Sequence, residues 1–198
     1  MKDARTVNNR PGGSILGGDA GKKAFDPPEP PRTLIQKFRN VMNRKPLSSD
    51  QIGVRPATLA DVPQLCELLL FLFAREADFK PDAERQTRGL RLILEQPDVG
   101  CIYCAIAGES IIGMVSLLFT ISTAEGGLAA WLEDMVVHPD WQKKGIGQQL
   151  LEEAINQARA RGCCRLTLLT DSTNAPAIHF YERAGFLRSR MIPMRHYL

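Results

Sequence analysis

Residues 136–154 read VVHPDWQKKGIGQQLLEEA. The stretch opens as the end of an apolar, strand-like run and turns at His138, Pro139 and Asp140. It then becomes helical, with Ile146, Leu150, Leu151, Ile155 and Ala158 on one face. Two lysines and two glycines therefore stand at the mouth of a helix. The first turn of any helix leaves backbone N–H groups without intrahelical partners, and the helix dipole adds positive potential there. Gly145 and Gly147 carry no Cβ, so that backbone can approach a bulky anion, and Lys143 and Lys144 add charge. The expectation is a phosphate cradle. It is not a P-loop, because no Gly-Lys-Ser/Thr follows at the required spacing. It is not the dinucleotide fingerprint either, because Leu150 stands where the third glycine would be.

Outward from this stretch the chain alternates between the two periodicities. IGVRPA (52–57) reads as a short strand. TLADVPQLCELLLFLFA (58–74) reads as a helix with Thr58 as its cap, and DAERQTRGLRLILEQ (82–96) as a second, more polar helix. GCIYCAIAG, SIIGMVSLLFTIS and LAAWLEDMVV are three strands, the first two parted by a Gly-Glu-Ser turn. After the cradle helix, which Gly162 closes, RLTLLT is a strand and APAIHFYERAG a helix. FLRSRMIPMRHYL (186–198) reads as a pair of terminal strands broken near Pro193. This order predicts an α/β (α+β) fold with a mixed, mostly antiparallel central sheet flanked by about four helices.

Residues 1–50 form a different regime. They are rich in Gly, Pro and polar residues and are expected to be a disordered tail, since they cannot bury enough surface to offset ordering entropy. A short amphipathic segment near 33–44, with Leu34, Phe38 and Val41 among basic residues, reads as a transient helix. The tail holds ten Lys/Arg against five Asp/Glu, and the remainder fifteen against seventeen. The net charge of +3 thus belongs to the tail, and it is too small to argue for nucleic acid as a partner. The longest apolar run, LLLFLFA, is far short of the ~20 residues that cross a bilayer, so no membrane span is expected.

The start lacks the apolar stretch of a secretory signal, and the five cysteines show no disulfide spacing. Both features point to a reducing, cytoplasmic setting. Cys101 and Cys104 lie three apart on a strand and so face opposite sides, which argues for packing rather than a metal or redox site. Cys163 and Cys164 are also read as packing. No metal is expected.

QKKGIG, with Gln142, Gly145 and Gly147, resembles motif A of the GNAT superfamily of acetyl-CoA-dependent N-acetyltransferases. NAPAIHFYERAGF resembles that superfamily's other signature, an Asn, then a helix carrying Tyr, then Gly-Phe. The two stand in the right order with a strand between them, and the resemblance covers about 52–198. It implies that the anion is the pyrophosphate of coenzyme A, held by the backbone of Lys143, Lys144, Gly145, Ile146, Gly147 and Gln148. It implies pantetheine lying along Met135, Val136 and Val137 like an added strand, with Asn174 and Tyr181 on the cofactor's far side. Positions 174 and 181 are two helical turns apart and are expected to face the same way.

Acetyl transfer to an amine needs a neutral nucleophile, a donor for the oxyanion and a proton for the departing thiolate. Tyr181 is the expected acid, and a backbone N–H near Met135 the expected oxyanion donor. Glu133 and Asp134 are adjacent on a strand and are expected to point to opposite faces. Glu133 is preferred as the base, because many relatives carry an acidic residue there. His138 and His179 are given no catalytic role. The acceptor side is expected around Phe71, Phe73, Glu76, Asp78, Phe79 and Glu125, acidic and aromatic groups that would suit a cationic amine. The expected function is acetyl transfer from acetyl-CoA to a small-molecule primary amine. A protein acetyltransferase and a non-catalytic acyl-CoA-binding module are the alternatives, and a homodimer is left open.

Overall fold

The computed structural model describes residues 52–75 and 79–198. The tail, its amphipathic segment, Glu76 and Asp78 lie outside those residues. The elements are β1 (Ile52–Pro56), α1 (Val62–Phe73), α2 (Ala83–Glu95), β2 (Gly100–Ala107), β3 (Ser110–Ser122), β4 (Gly127–Val137), α3 (Ile146–Ala160), β5 (Arg165–Leu168) and α4 (Ala175–Arg183). The sheet has the order β1-β2-β3-β4-β5. The first four strands are antiparallel to their neighbours, and β5 runs parallel to β4. This is the mixed, mostly antiparallel sheet with four helices that the sequence predicts.

Period-two alternation divides the core. On one face Ile102, Cys104, Ile111 and Met114 pack under Val62, Leu65, Leu68 and Leu69 of α1 and Leu90 of α2. On the other, Tyr103, Ala105, Val115, Leu117 and Leu132 pack under Ile146, Leu150, Leu151, Ala154 and Ala158 of α3. Both faces of β2 and β3 are covered, which is why these strands read as nearly continuous apolar runs. The helical stripe predicted for α3 is the stripe that is buried.

Thr58 caps a short 3-10 turn, Leu59–Asp61, rather than α1 itself. Asp61 accepts from the Thr58 backbone N–H at 2.8 Å. It also takes a two-pronged ion pair from Arg55, both contacts at 2.8 Å, which holds its carboxyl well below the usual carboxylate range. β1 and the start of α1 are thereby clamped together. Asp82 caps α2, its side chain accepting from the N–H groups of Glu84 and Arg85. Gly162, at φ 78°, ends α3 by turning the chain left-handed into β5.

One element differs from expectation. Residues 186–198 form no strand, and Leu187, Met191, Ile192, Met194, Tyr197 and Leu198 are each at least 76% exposed. Pro193 supplies no N–H to a ladder, and the apolar residues of this segment find no second sheet face to cover. The cysteines follow expectation, with one exception. Cys104 is buried under α1, whereas Cys101 packs toward α3. Cys163 is half-buried, but Cys164 is exposed and donates to the Leu128 carbonyl at 2.9 Å rather than packing. Among the described residues no helix is long and apolar enough to cross a membrane, and no group of His, Cys, Asp or Glu could hold a metal ion.

Candidate active site

The site forms where β4 outruns β5. The parallel ladder between them ends at Leu132 and Leu168. β4 continues to Val137, held on its other side by β3 through Val136 and Val137. The β5-facing edge of residues 133–137 therefore has no strand partner and, apart from the Val137 carbonyl that Gln142 occupies, is able to pair with an extended ligand as a strand would.

The chain leaves β4 through His138, Pro139 and Asp140. The Gln142 side-chain amide donates back to the Val137 carbonyl at 3.0 Å, which fixes the loop against the strand end. Lys143 (φ 61°) and Gly145 (φ 82°) are both left-handed. Two such turns in three residues swing successive N–H groups toward one side before α3 begins at Ile146. Glycine at 145 serves that left-handed conformation rather than space, for a Cβ there would meet nothing within 4 Å. Gly147 has a different role. A Cβ on it would lie 3.8 Å from Met135 Cε, 3.8 Å from Phe180 Cζ and 3.9 Å from Val137 Cγ2, in the crevice between β4 and α4. An open groove of about 330 Å³ is lined by Gln148, Glu152, Ile155, Asn156 and Arg159 of α3 and by Ala184. Lys143 and Lys144 are exposed, and Lys144 Nζ stands 4.6 Å from the centre of the Trp141 ring.

α4 brings Tyr181 to the same place. Its ring is wedged between Phe180 at 5.2 Å and Phe186 at 5.7 Å. Its hydroxyl donates to Met135 Sδ at 3.6 Å. Burial pushes the phenol up to about 12, so it holds its proton at neutral pH. Asn174 stands outside the helix as its cap, with Oδ1 accepting from Ala177 N–H at 3.2 Å. α4 starts at Ala175, so Asn174 is the cap of the helix that carries Tyr181 rather than a residue of its first turn.

The acidic pair departs further from the sequence reading. Ser116 pairs with Glu133 and Met114 with Val136, so Asp134 and Met135 together oppose one residue of β3. This is a β-bulge, and Asp134 sits in it at φ 44°. Strict alternation fails here, and the expectation that the two carboxylates face apart fails with it. Asp134 is half-buried, 3.5 Å from Ser116 Oγ. Burial first, and the Glu133 charge second, push its carboxyl up to about 6. Burial also raises Glu133, while Arg195 pulls it the other way. Ser116, Phe180 and Arg195 were not anticipated. An Asp within an apolar strand is a signal for the bulge, since Asp tolerates left-handed backbone better than most residues. His138 is buried against Phe71, its Nδ1 accepts from the Asp140 N–H at 3.3 Å, and burial lowers its pKa. It is a neutral structural histidine, and His179 is exposed on α4.

A model of the acetyltransferase (GNAT) family matches residues 63–186, from the first turn of α1 through Phe186. The chain belongs to this family. GNAT proteins use acetyl-CoA as co-substrate, and the open β4 edge and the glycine-built mouth of α3 fit a long, pyrophosphate-bearing ligand. The chain is similar to streptothricin acetyltransferase of Streptomyces lavendulae, 40% identical over 84 residues, which is 36% of this chain and 44% of that protein. It is also similar to the alanine N-acetyltransferase of ribosomal protein bS18 from Salmonella typhimurium, 42% identical over 57 residues, 29% of this chain and 38% of that one. The chain thus spans less than half the length of these curated relatives. Among solved structures, an integron cassette protein from the mobile metagenome of Cole Harbour Salt Marsh matches with a TM-score of 0.65. It is 29% identical, over 76% of this GNAT chain and 91% of the cassette protein.

Proposed function

We propose that this GNAT chain transfers the acetyl group of acetyl-CoA to the primary amine of a small-molecule acceptor by direct attack. The observation that carries the reading is the convergence on Met135. The Tyr181 hydroxyl, from α4, lies 3.6 Å from its sulfur. The open edge of β4 and the crevice at Gly147 meet at the same residue. The backbone of Lys143, Lys144, Gly145, Ile146, Gly147 and Gln148 binds the pyrophosphate, with Gln142 bracing the loop. The edge of Met135, Val136 and Val137 pairs with pantetheine, and Asn174 borders the cofactor from the cap of α4.

The thioester then lies beside Met135, and acetyl-CoA supplies an activated carbonyl there. A backbone N–H near Met135 stabilises the oxyanion. Glu133 accepts a proton from the attacking amine, directly or through water, as the C–N bond forms. Tyr181 donates its proton to sulfur as the C–S bond breaks. Raised carboxyl and phenol pKa values suit these two roles at neutral pH, one group poised as base and the other kept as acid.

Similarity to streptothricin acetyltransferase supports a small acceptor. Incubating the full chain with acetyl-CoA and either pooled small amines or peptides, followed by mass spectrometry, tests the reading. Acetylated small amines are expected. Acetylated peptides alone would move the reading to a protein acceptor, and tight acetyl-CoA binding with no product would leave an acyl-CoA-binding module.

A further inference from the structure

A β-bulge can re-aim a side chain, and the one in β4 re-aims Met135. Leu132 belongs to the core on the α3 face of the sheet. Strict alternation from Leu132 would turn residue 135 toward α1. The extra residue, Asp134, shifts the parity by one, so Met135 and Val137 pack toward α3 and Val136 toward α1. The result is a thioether in the crevice between β4 and α4. Met135 Cε and Phe180 Cζ each lie 3.8 Å from the place a Cβ on Gly147 would take. Met135 Sδ accepts from the Tyr181 hydroxyl at 3.6 Å. Phe180 and Phe186 wedge the phenol ring, so its oxygen is fixed in place and only the hydrogen can turn. A thioether sulfur is a weak acceptor, which leaves the hydroxyl easily surrendered to a better one. Methionine is also unbranched, with three rotatable bonds, and can leave a crevice without moving the backbone.

We propose that the Met135 side chain is a placeholder for the sulfur of the cofactor: it holds the Tyr181 hydroxyl in the resting chain and swings out of the crevice when the cofactor's own sulfur arrives. The inference rests on the reading that pantetheine lies along β4 and that Tyr181 meets its sulfur. Both sulfurs are divalent and offer the same kind of lone pair to the same O–H. The resting chain thus keeps its acid aimed at a sulfur before any ligand is present. No bond to Met135 forms or breaks. A thioether is far too weak a base to take the phenol proton, so Met135 positions the acid without discharging it. The proton leaves Tyr181 only when a thiolate develops in the same place. Met135 is therefore a positioning residue through its side chain, apart from the backbone edge it offers to pantetheine.

The test reads the side chain itself and needs no turnover. The full chain is prepared with isotope-labelled methionine methyl groups for NMR. Met135→Leu identifies the Met135 methyl signal, among those of six methionines, by its loss. Coenzyme A and desulfo-coenzyme A, which lacks only the terminal sulfur, are titrated separately, with binding followed by calorimetry. Coenzyme A should carry the Met135 methyl away from the Phe180 ring and shift its signal to that of a solvent-exposed methionine. Desulfo-coenzyme A should bind and leave the signal in place. In Met135→Leu a side chain of similar volume fills the crevice but accepts no hydrogen bond. That variant should bind coenzyme A about two- to fivefold more tightly than wild type, the range for removing one weak hydrogen-bonding competitor. Desulfo-coenzyme A should bind both chains alike. A signal that both ligands move equally would mean displacement by bulk and overturns the proposal. A signal that stays in place while calorimetry shows coenzyme A bound also overturns it, and leaves the transferase reading standing. No calorimetric binding of coenzyme A overturns both.

Discussion

The mouth of α3 is made of backbone, whereas the region around Glu133 is made of side chains. At the first, Lys143 and Gly145 are left-handed, a Cβ on Gly145 would meet nothing within 4 Å, and the charged side chains there are exposed. At the second, a bulge crowds two carboxylates together, and an aromatic pair and an arginine arrive from outside the sheet. Backbone geometry tolerates change in most side chains and fixes one ligand shape. A side-chain site can be rebuilt by a few substitutions. One scaffold can therefore keep one kind of site while the other changes, which fits relatives named for streptothricin and for a ribosomal protein.

Tyr181 stands between the two regions, and removing its hydroxyl should give the largest effect. Tyr181→Phe keeps the packing against Phe180 and Phe186. Turnover should fall by about two to four orders of magnitude, the usual worth of a positioned acid. Acetyl-CoA affinity should barely change, because the lost interaction acts in the transition state. Unchanged turnover would remove the phenol from the mechanism.

The next effect breaks the acidic end. The folded-state pKa of Asp134 lies above its ordinary value, at about 6 rather than 3.8. The folded chain therefore prefers the protonated carboxyl, and the contribution of this group to stability is full below about 4 and is lost as pH rises to about 6. Asp134→Asn removes the charge and accepts the same left-handed backbone. Denaturant unfolding should show it nearly equal to wild type near pH 4. At pH 8 it should be more stable by up to about 3 kcal/mol, the equivalent of two pKa units. A variant less stable than wild type at pH 8 would mean that the bond to Ser116 outweighs burial.

How much of this was legible follows the same division. Repetition announces itself: the apolar stripe of α3 and the continuous apolar runs of β2 and β3 are periodic or local, and each of these elements lies where the sequence puts it. The start of α3 at its two glycines was legible for the same reason, since a helix start is written in consecutive residues. The bulge was not, because a strand pattern with one extra residue still looks like a strand. The last segment, 186–198, was misread as strands because it contains apolar residues, whereas pairing depends on a partner edge that local sequence does not contain. Arg195 was invisible for that reason. Its meeting with Phe79 spans more than a hundred residues and obeys no period.

A third substitution tests whether the cradle is open by design. Gly147→Val would place two methyl groups in the crevice toward Met135 and Phe180, where even a single Cβ already reaches ordinary contact distance. The fold should survive, because those contacts begin at 3.8 Å. Acetyl-CoA binding, followed by calorimetry, should weaken by about tenfold or more, the equivalent of one ordinary steric conflict of about 1.4 kcal/mol. Binding as tight as wild type would show that the ligand does not pass Gly147.

The smallest effect should come from the most conspicuous charge. Lys144 is exposed, and its ammonium stands 4.6 Å from the centre of the Trp141 ring, so it is partly engaged before any ligand arrives. An exposed cation near a phosphate acts through water and is screened over a Debye length of about 8 Å at physiological salt. If the pyrophosphate is held by N–H groups, Lys144→Ala should weaken acetyl-CoA binding only about two- to fourfold, in line with the small worth of exposed ion pairs. That loss should shrink as salt is raised, while the loss from Gly147→Val should not. Calorimetry of both variants at low and high salt separates the contributions. A loss of tenfold or more for Lys144→Ala, persisting at high salt, would mean that the mouth of α3 is a side-chain site after all, and the contrast with the Glu133 end would collapse.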